Sequence, residues 1–178
     1  MPTHQIGENI ATSNVKLFPQ GFTEEVELKW KKNHRRQNYG ELGKNIKFDL
    51  LLTLKKYLDD AEIPFYLMYG TLLGAIRENN FIEWDCDIDI AVLGRHHNKL
   101  STILLHMPPL ELIRLGSYSA CVEYQKEICD IYTFTEEAKK YAYCGGIKRF
   151  WDENKDVFEE PSTITFRGVE FRTVKNPV

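Results

Sequence analysis

The sequence predicts one mixed α+β domain with a largely sequential sheet, and three observations lead there. Helical periodicity is confined to a few segments, strand-length apolar runs bounded by Gly, Pro and polar turns fill much of the second half, and no internal repeat or low-complexity tract interrupts them. The 178 residues, 43% of them hydrophobic, suffice for one core and are too few for two large domains. With 23 basic residues against 26 acidic ones the formal net charge is −3, so the chain lacks the positive field that would hold a polyanion, and no nucleic-acid partner is expected. The longest stretch without a charge, Ile63 to Ile76, is 14 residues and contains Pro64, Gly70 and Gly74. A spanning helix needs roughly 18 or more apolar residues, so no transmembrane segment is expected.

Taken from the N-terminus, residues 1–22 are polar and aperiodic and read as a flexible arm, with residues 23–178 as the single domain. His4, Gln5, Glu8, Asn9 and Asn14 interrupt any apolar run, so no secretory signal is expected. Thr23 can cap a helix carrying Glu24, Glu25 and Glu27 early and Lys29, Lys31, Lys32, Arg35 and Arg36 late, the charge order that a helix dipole favours. Its basic run invites a phosphate- or membrane-binding reading, but the plainer one is a solvated helix face. A core helix follows Gly43, with Ile46, Leu50, Leu54, Tyr57, Leu58 and Ala61 at helical spacing, and Pro64 prevents it from continuing.

Phe65 to Tyr69 then reads as a short strand, Gly70-Thr71 as a turn, Leu72 to Arg77 as a turn or two of helix, and Phe81 to Leu93 as a strand region. Lys99 to Met107 places Leu100, Ile103, Leu104 and Met107 on one helical side before Pro108 and Pro109 stop it. Leu110 to Leu115, Ala120 to Tyr124 and Ile128 to Phe134 are strand-like, and the polar stretch from Thr135 is a candidate helix. Thr163 to Phe166 and Val169 to Arg172, around Arg167-Gly168, predict a hairpin. The cysteines at 86, 121, 129 and 144 contain no C-x-x-C pair, so neither structural zinc nor a disulfide framework is expected.

The chemistry concentrates in Trp84-Asp85-Cys86-Asp87-Ile88-Asp89-Ile90. On a strand, alternation would put Trp84, Cys86, Ile88 and Ile90 on a core face and Asp85, Asp87 and Asp89 on the other. A solvated acidic face is the plainer reading, but Asp is a poor strand former, and three on one face of an apolar strand need a reason. Like charges so close raise a pKa or recruit a cation, and oxygen ligands suit Mg²⁺ or Mn²⁺. A calcium loop fails, because Ile90 stands at its sixth position, where Gly is needed, and His96 at its twelfth, where Glu is needed. Gly70-Thr71, between a strand and a helical segment, can present N–H groups and a hydroxyl to an anion, and Arg77 is either a phosphate contact or a surface residue of its helix. Asp130 sits in the apolar run Ile128-Cys129-Asp130-Ile131-Tyr132 and needs a partner if buried; beside the aspartate strand it becomes a further metal ligand or a base. His96, His97 and His106 have neither metal-motif nor triad spacing and read as surface or core-edge residues.

Tyr69-Gly70-Thr71-Leu72-Leu73-Gly74-Ala75-Ile76-Arg77, followed by Phe81-Ile82-Glu83-Trp84-Asp85-Cys86-Asp87-Ile88-Asp89-Ile90, resembles the signature of the LicD and fukutin family of phosphotransferases. The likeness runs from about Lys44 to the end, with Asp130 in the place of the family's later aspartate and the Arg167-Gly168 hairpin similar to its closing strands. It implies a nucleotidyltransferase fold of the polymerase-β type and a transferase that moves phosphocholine or ribitol phosphate from a CDP-activated donor to a glycan hydroxyl. By that resemblance Asp87, Asp89 and Asp130 are catalytic, Asp85, Asp87, Asp89 and Asp130 hold Mg²⁺ or Mn²⁺, and Gly70, Thr71 and Arg77 orient the donor phosphates. A noncatalytic relative that binds a nucleotide or a partner is the alternative, and nucleotidyl transfer at an α-phosphorus uses the same carboxylates. The family's domain usually continues past the closing strands, so a short C-terminus is expected, and its cysteine-rich zinc loop has no counterpart here. The lack of a readable signal points to the cytoplasm, while the resemblance leaves a Golgi or secretory lumen open. Donor alcohol, acceptor glycan and oligomeric state are not legible.

Overall fold

The computed structural model of the chain describes residues 16–18, 40–137, 140–145, 147–151, 158, 160–175 and 177. The expected helix after Thr23 lies outside them. Within the expected N-terminal arm, Lys16–Phe18 is an edge strand, β1, so the expectation of little fixed structure does not hold for those three residues.

Helix α1, Glu41–Asp60, buries Gly43, Ile46, Lys47, Leu50, Leu51, Leu54 and Leu58 as one stripe, the arrangement expected of a core helix. Strand β2, Phe65–Leu67, leads directly into α2, Tyr69–Glu78, so Gly70 and Thr71 belong to the first helical turn rather than to a separate turn. Asn79, in the left-handed region at φ 48°, ends α2 as a short amide side chain can. Strand β3, Ile88–Leu93, is buried throughout, and after a 3₁₀ turn at Gly94–His96 helix α3, His97–Leu104, carries the chain over to β4, Glu111–Gly116. The sheet continues with β5, Ser119–Tyr124, β6, Glu127–Glu137, β7, Lys140–Gly145, and β8, Ile147–Trp151. The candidate helix after Thr135 is therefore replaced by strand: β6 runs on to Glu137 and pairs with β7, which pairs with β8.

Among the described residues eight strands form one mixed sheet, in the order β1-β4-β5-β6-β3-β2 with β7 and β8 continuing from β6. Strands β4, β5 and β6 run antiparallel in sequence, β3 inserts parallel to β6, and β2 closes antiparallel to β3. The hairpin of β9, Ser162–Phe166, and β10, Val169–Thr173, forms around Arg167-Gly168, both at positive φ as a two-residue turn demands. Phe166 seats its ring edgewise on Phe48 and Phe81, while Arg167 donates to the Lys44 carbonyl and to Asn45 Oδ1 and stacks over Phe48. The hairpin thereby ties the start of α1 to the segment that leads into β3.

That segment departs from expectation. Residues 81–87 are loop, turned at Asp85 N–H to the Ile82 carbonyl, and the strand begins only at Ile88. Gly74 explains the path: a β-carbon there would lie 2.5 Å from the Asn80 carbonyl oxygen and 3.1 Å from the Ile82 nitrogen, so loop backbone packs straight onto α2. Phe81 and Ile82 are buried by that approach, whereas Trp84 is 83% exposed, so its expected place on a core face is corrected. Face alternation holds only from Ile88 onward.

Candidate active site

Register between β3 and β6 creates the site. In their parallel ladder Asp89 stands opposite Asp130, between the pairs Ile88–Cys129 and Ile90–Ile131, whose side chains point the other way. Asp87, immediately before β3, joins them: one carboxylate oxygen from each of Asp87, Asp89 and Asp130 lies within 4.8 Å of the others, at residue exposures of 7%, 7% and 3%.

Neighbouring strands supply the partners. Register runs from Arg114 on β4 through Cys121 on β5 to Asp130 and Asp89, and Arg114 Nη2 donates to Asp130 Oδ1 at 2.8 Å with both side chains buried. Tyr132, two residues beyond Asp130 and so on the same face, donates its hydroxyl to Asp89 Oδ1 at 3.0 Å and sets its ring edgewise on Tyr69. The start of α2 is stitched to the β3 backbone, with Met68 N–H donating to the Asp89 carbonyl at 3.0 Å and Asp89 N–H donating to Thr71 Oγ1 at 2.9 Å.

This arrangement crowds negative charge. Burial, then Asp87 and Asp130, push the Asp89 carboxyl up to about 8 against the opposing help of the Tyr132 hydroxyl. Burial and Asp87 raise Asp85 to about 6, with Lys47 pulling it back. The thiols of Cys121 and Cys129 are raised by burial and by Asp130, so they stay protonated packing groups. Asp85 Oδ2 is buried with no hydrogen-bond partner among the described residues. A set of carboxylate oxygens this close, with one buried oxygen left over, fits a hard divalent cation of the Mg²⁺ or Mn²⁺ kind and offers nothing to a thiophilic ion.

Of the residues singled out in the sequence, Asp87, Asp89 and Asp130 converge, and Asp85 borders them from the loop, in contact with Asp87. Asp85 is also what Gly70 accommodates: a β-carbon on Gly70 would stand 2.0 Å from Asp85 Oδ2. Thr71 is fully buried, its hydroxyl engaged with the Asp89 backbone. Arg77 is exposed in the last turn of α2, roughly 9 Å along the helix from Thr71 by helical rise, and the structure does not bring it to the carboxylates. Three site residues escaped sequence reading. Arg114 was signalled by a cation amid Leu112, Ile113 and Leu115, Tyr132 by its two-residue offset from Asp130, and Lys47 by its place on the buried stripe of α1. Lys47 Nζ donates to the Asp85 carbonyl and so pins the loop that bears Asp85.

Residues 62–173 match the LicD/FKTN/FKRP nucleotidyltransferase domain. A protein of Rickettsia prowazekii (strain Madrid E) called Uncharacterized protein RP689 is 31% identical over 100 residues, covering 54% of this chain and 36% of its own length, so the match spans about a third of that relative. Among solved structures, the solution structure of the antibiotic-resistance factor ANT(2'')-Ia superposes with a TM-score of 0.53 at 14% identity, over 74% of this chain and 66% of that one. The crystal structure of ANT(2'')-Ia in complex with adenylyl-2''-tobramycin gives 0.49 at 15% identity, over 71% and 68%. The likeness to the solution structure, at 14% identity, speaks to the fold alone, a mixed sheet with flanking helices.

Proposed function

The chain belongs to the LicD/FKTN/FKRP family and carries its nucleotidyltransferase domain over residues 62–173, and from that premise we propose that it is a metal-dependent phosphotransferase. It moves a phospho-alcohol of the phosphocholine or ribitol phosphate type from a CDP-activated donor to a glycan hydroxyl. The observation that carries the reading is the meeting of Asp87, Asp89 and Asp130 in one buried cluster tied to the first turn of α2.

Asp87, Asp89 and Asp130 hold Mg²⁺ or Mn²⁺, with Asp85 supporting them from the loop. A cation held there would supply charge stabilisation for the diphosphate oxygens in the transition state. The first turn of α2 offers backbone N–H groups to the donor phosphates. Thr71 holds the Asp89 backbone, and so the carboxylate, in place. The acceptor oxygen attacks the phosphorus that carries the alcohol, the bond from that phosphorus to CMP breaks, CMP leaves with the bonding pair, and the hydroxyl proton passes to solvent water.

The test is CMP release from a panel of CDP-alcohols with and without Mg²⁺. Asp87→Ala and Asp89→Ala proteins that keep their thermal melt are expected to lose about 10³-fold or more in kcat, as removal of transition-state charge stabilisation does. Release at the unsubstituted rate from either variant overturns the assignment. Diphosphate release from a nucleoside triphosphate, with CDP-alcohols inert, would favour nucleotidyl transfer instead. Nucleotide binding with silence on both panels would favour a noncatalytic relative.

A further inference from the structure

Two of the three clustered aspartates have one oxygen already engaged by a side chain that is not itself a metal ligand. Asp130 Oδ1 accepts from the Arg114 guanidinium at 2.8 Å, and Asp89 Oδ1 accepts from the Tyr132 hydroxyl at 3.0 Å. Neither donor is a passing surface contact. Arg114 is buried on β4, three strands from Asp89 in a continuous register, and the Tyr132 ring is braced by Tyr69. An oxygen that faces a guanidinium, or the proton of a phenol, has one of its two lone pairs taken and its charge partly offset, so it is the weaker of the carboxylate's two oxygens toward a cation. Chelation through both oxygens would set the ion close against these donors.

We propose that Arg114 and Tyr132 are specificity-determining residues that restrict Asp130 and Asp89 to one ligating oxygen each, so that the centre selects a small six-coordinate cation over calcium. The inference rests on the metal-dependent reading above and deepens it. Magnesium accepts few single-oxygen carboxylate ligands and keeps water and phosphate in its remaining positions, whereas calcium takes six to eight oxygens and gains from bidentate carboxylates. Asp89 and Asp130 sit opposite one another in a ladder, so their backbones cannot spread to admit a larger coordination shell. A cation held by few protein oxygens also keeps positions for the diphosphate of a donor.

The test uses the whole chain without nucleotide and reads metal binding directly. Mn²⁺ is titrated in, the free aqueous ion is followed by its paramagnetic resonance signal, and Mg²⁺ and Ca²⁺ compete. The unsubstituted protein is expected to release Mn²⁺ to Mg²⁺ at concentrations at least about tenfold lower than to Ca²⁺. Tyr132→Phe deletes one oxygen and keeps the ring on Tyr69; it is expected to narrow that ratio several-fold by improving calcium binding. Arg114→Lys, which keeps the charge and loses the planar fork, is expected to act in the same direction. Equal competition by the two ions in the unsubstituted protein, or an unchanged ratio in a folded Tyr132→Phe variant, overturns the proposal. Selective metal binding without any CMP release would sink the transferase reading and leave this inference standing. Mg²⁺-driven CMP release from a protein that binds calcium equally well would do the reverse.

Discussion

Asp130 and Asp85 border the Asp87–Asp89 pair from β6 and from the loop before β3, and they are held by different means. Asp130 lies in a ladder with a strand on either side and has its charge met by the buried guanidinium of Arg114. Asp85 is secured through its backbone, by the turn to Ile82 and by Lys47 on its carbonyl, while one carboxylate oxygen rests on the α-carbon of Gly70 with no hydrogen-bond partner among the described residues. The strand-borne half of the cluster is thus set by the fold and the loop-borne half by a few side-chain contacts. The proposed function, a cation in fixed geometry beside an admitted substrate, would gain from this division, since rigid elements give precision and loops give access.

The widest gap between the halves is expected in turnover. Asp130→Asn should lower kcat by about 10³-fold, whereas Asp85→Asn, which touches a supporting carboxylate, should cost about 10-fold. Equal losses in CMP release would break the comparison by making the loop carboxylate as central as the strand one.

Stability against pH separates them next. The folded Asp89 carboxyl keeps its proton up to about pH 8, while in an unfolded chain it would ionise near its ordinary value of 3.8. The folded state therefore binds more protons across that window, and stability in a chelator falls as pH rises through it, by roughly 1.4 kcal/mol per pKa unit at most. Asp85, raised only to about 6, contributes over a narrower range with the same sign. Thermal melts in EDTA should drop between pH 5 and pH 8, Asp89→Asn should flatten the slope more than Asp85→Asn, and Mg²⁺ should restore the melt most at the alkaline end. A melt in EDTA that climbs over this interval would contradict the burial of ionised charge at Asp89.

The smallest effect belongs to the contact between Gly70 and Asp85. Gly70→Ala puts a methyl group where Asp85 Oδ2 sits and should destabilise by about 1–3 kcal/mol, as overpacking does. Combining it with Asp85→Ala should recover part of that loss, and a double-mutant cycle by urea unfolding measures the coupling. Strictly additive losses would show that the carboxylate moves away without cost and that the loop half is looser than its contacts indicate.

Much of this was legible because it is local. The stripe of α1, the stop at Pro64 and the Arg167-Gly168 hairpin follow from helical spacing and turn chemistry, which a chain carries within a few residues of itself. Asp87 and Asp89 stood out because carboxylates are out of place beside Ile88 and Ile90. Trp84 and the stretch after Thr135 misled for the converse reason. Alternation in residues 84–87 looked like strand, but the close packing of Asn80 and Ile82 on Gly74 holds the chain in a loop. The polar residues past Thr135 looked helical, but β6 extends to pair with β7.

By itself, then, the sequence determined which segments are helix and strand over most of the domain and that gathered carboxylates would raise a pKa or recruit a cation, because periodicity and the cost of gathered like charge are properties of neighbouring residues. Tertiary structure alone decided that β6 lies parallel to β3 with Asp130 opposite Asp89 and that Arg114 reaches Asp130 from β4. Strand order joins residues 41 positions apart in the chain, and no local pattern encodes which of several apolar strands will become neighbours.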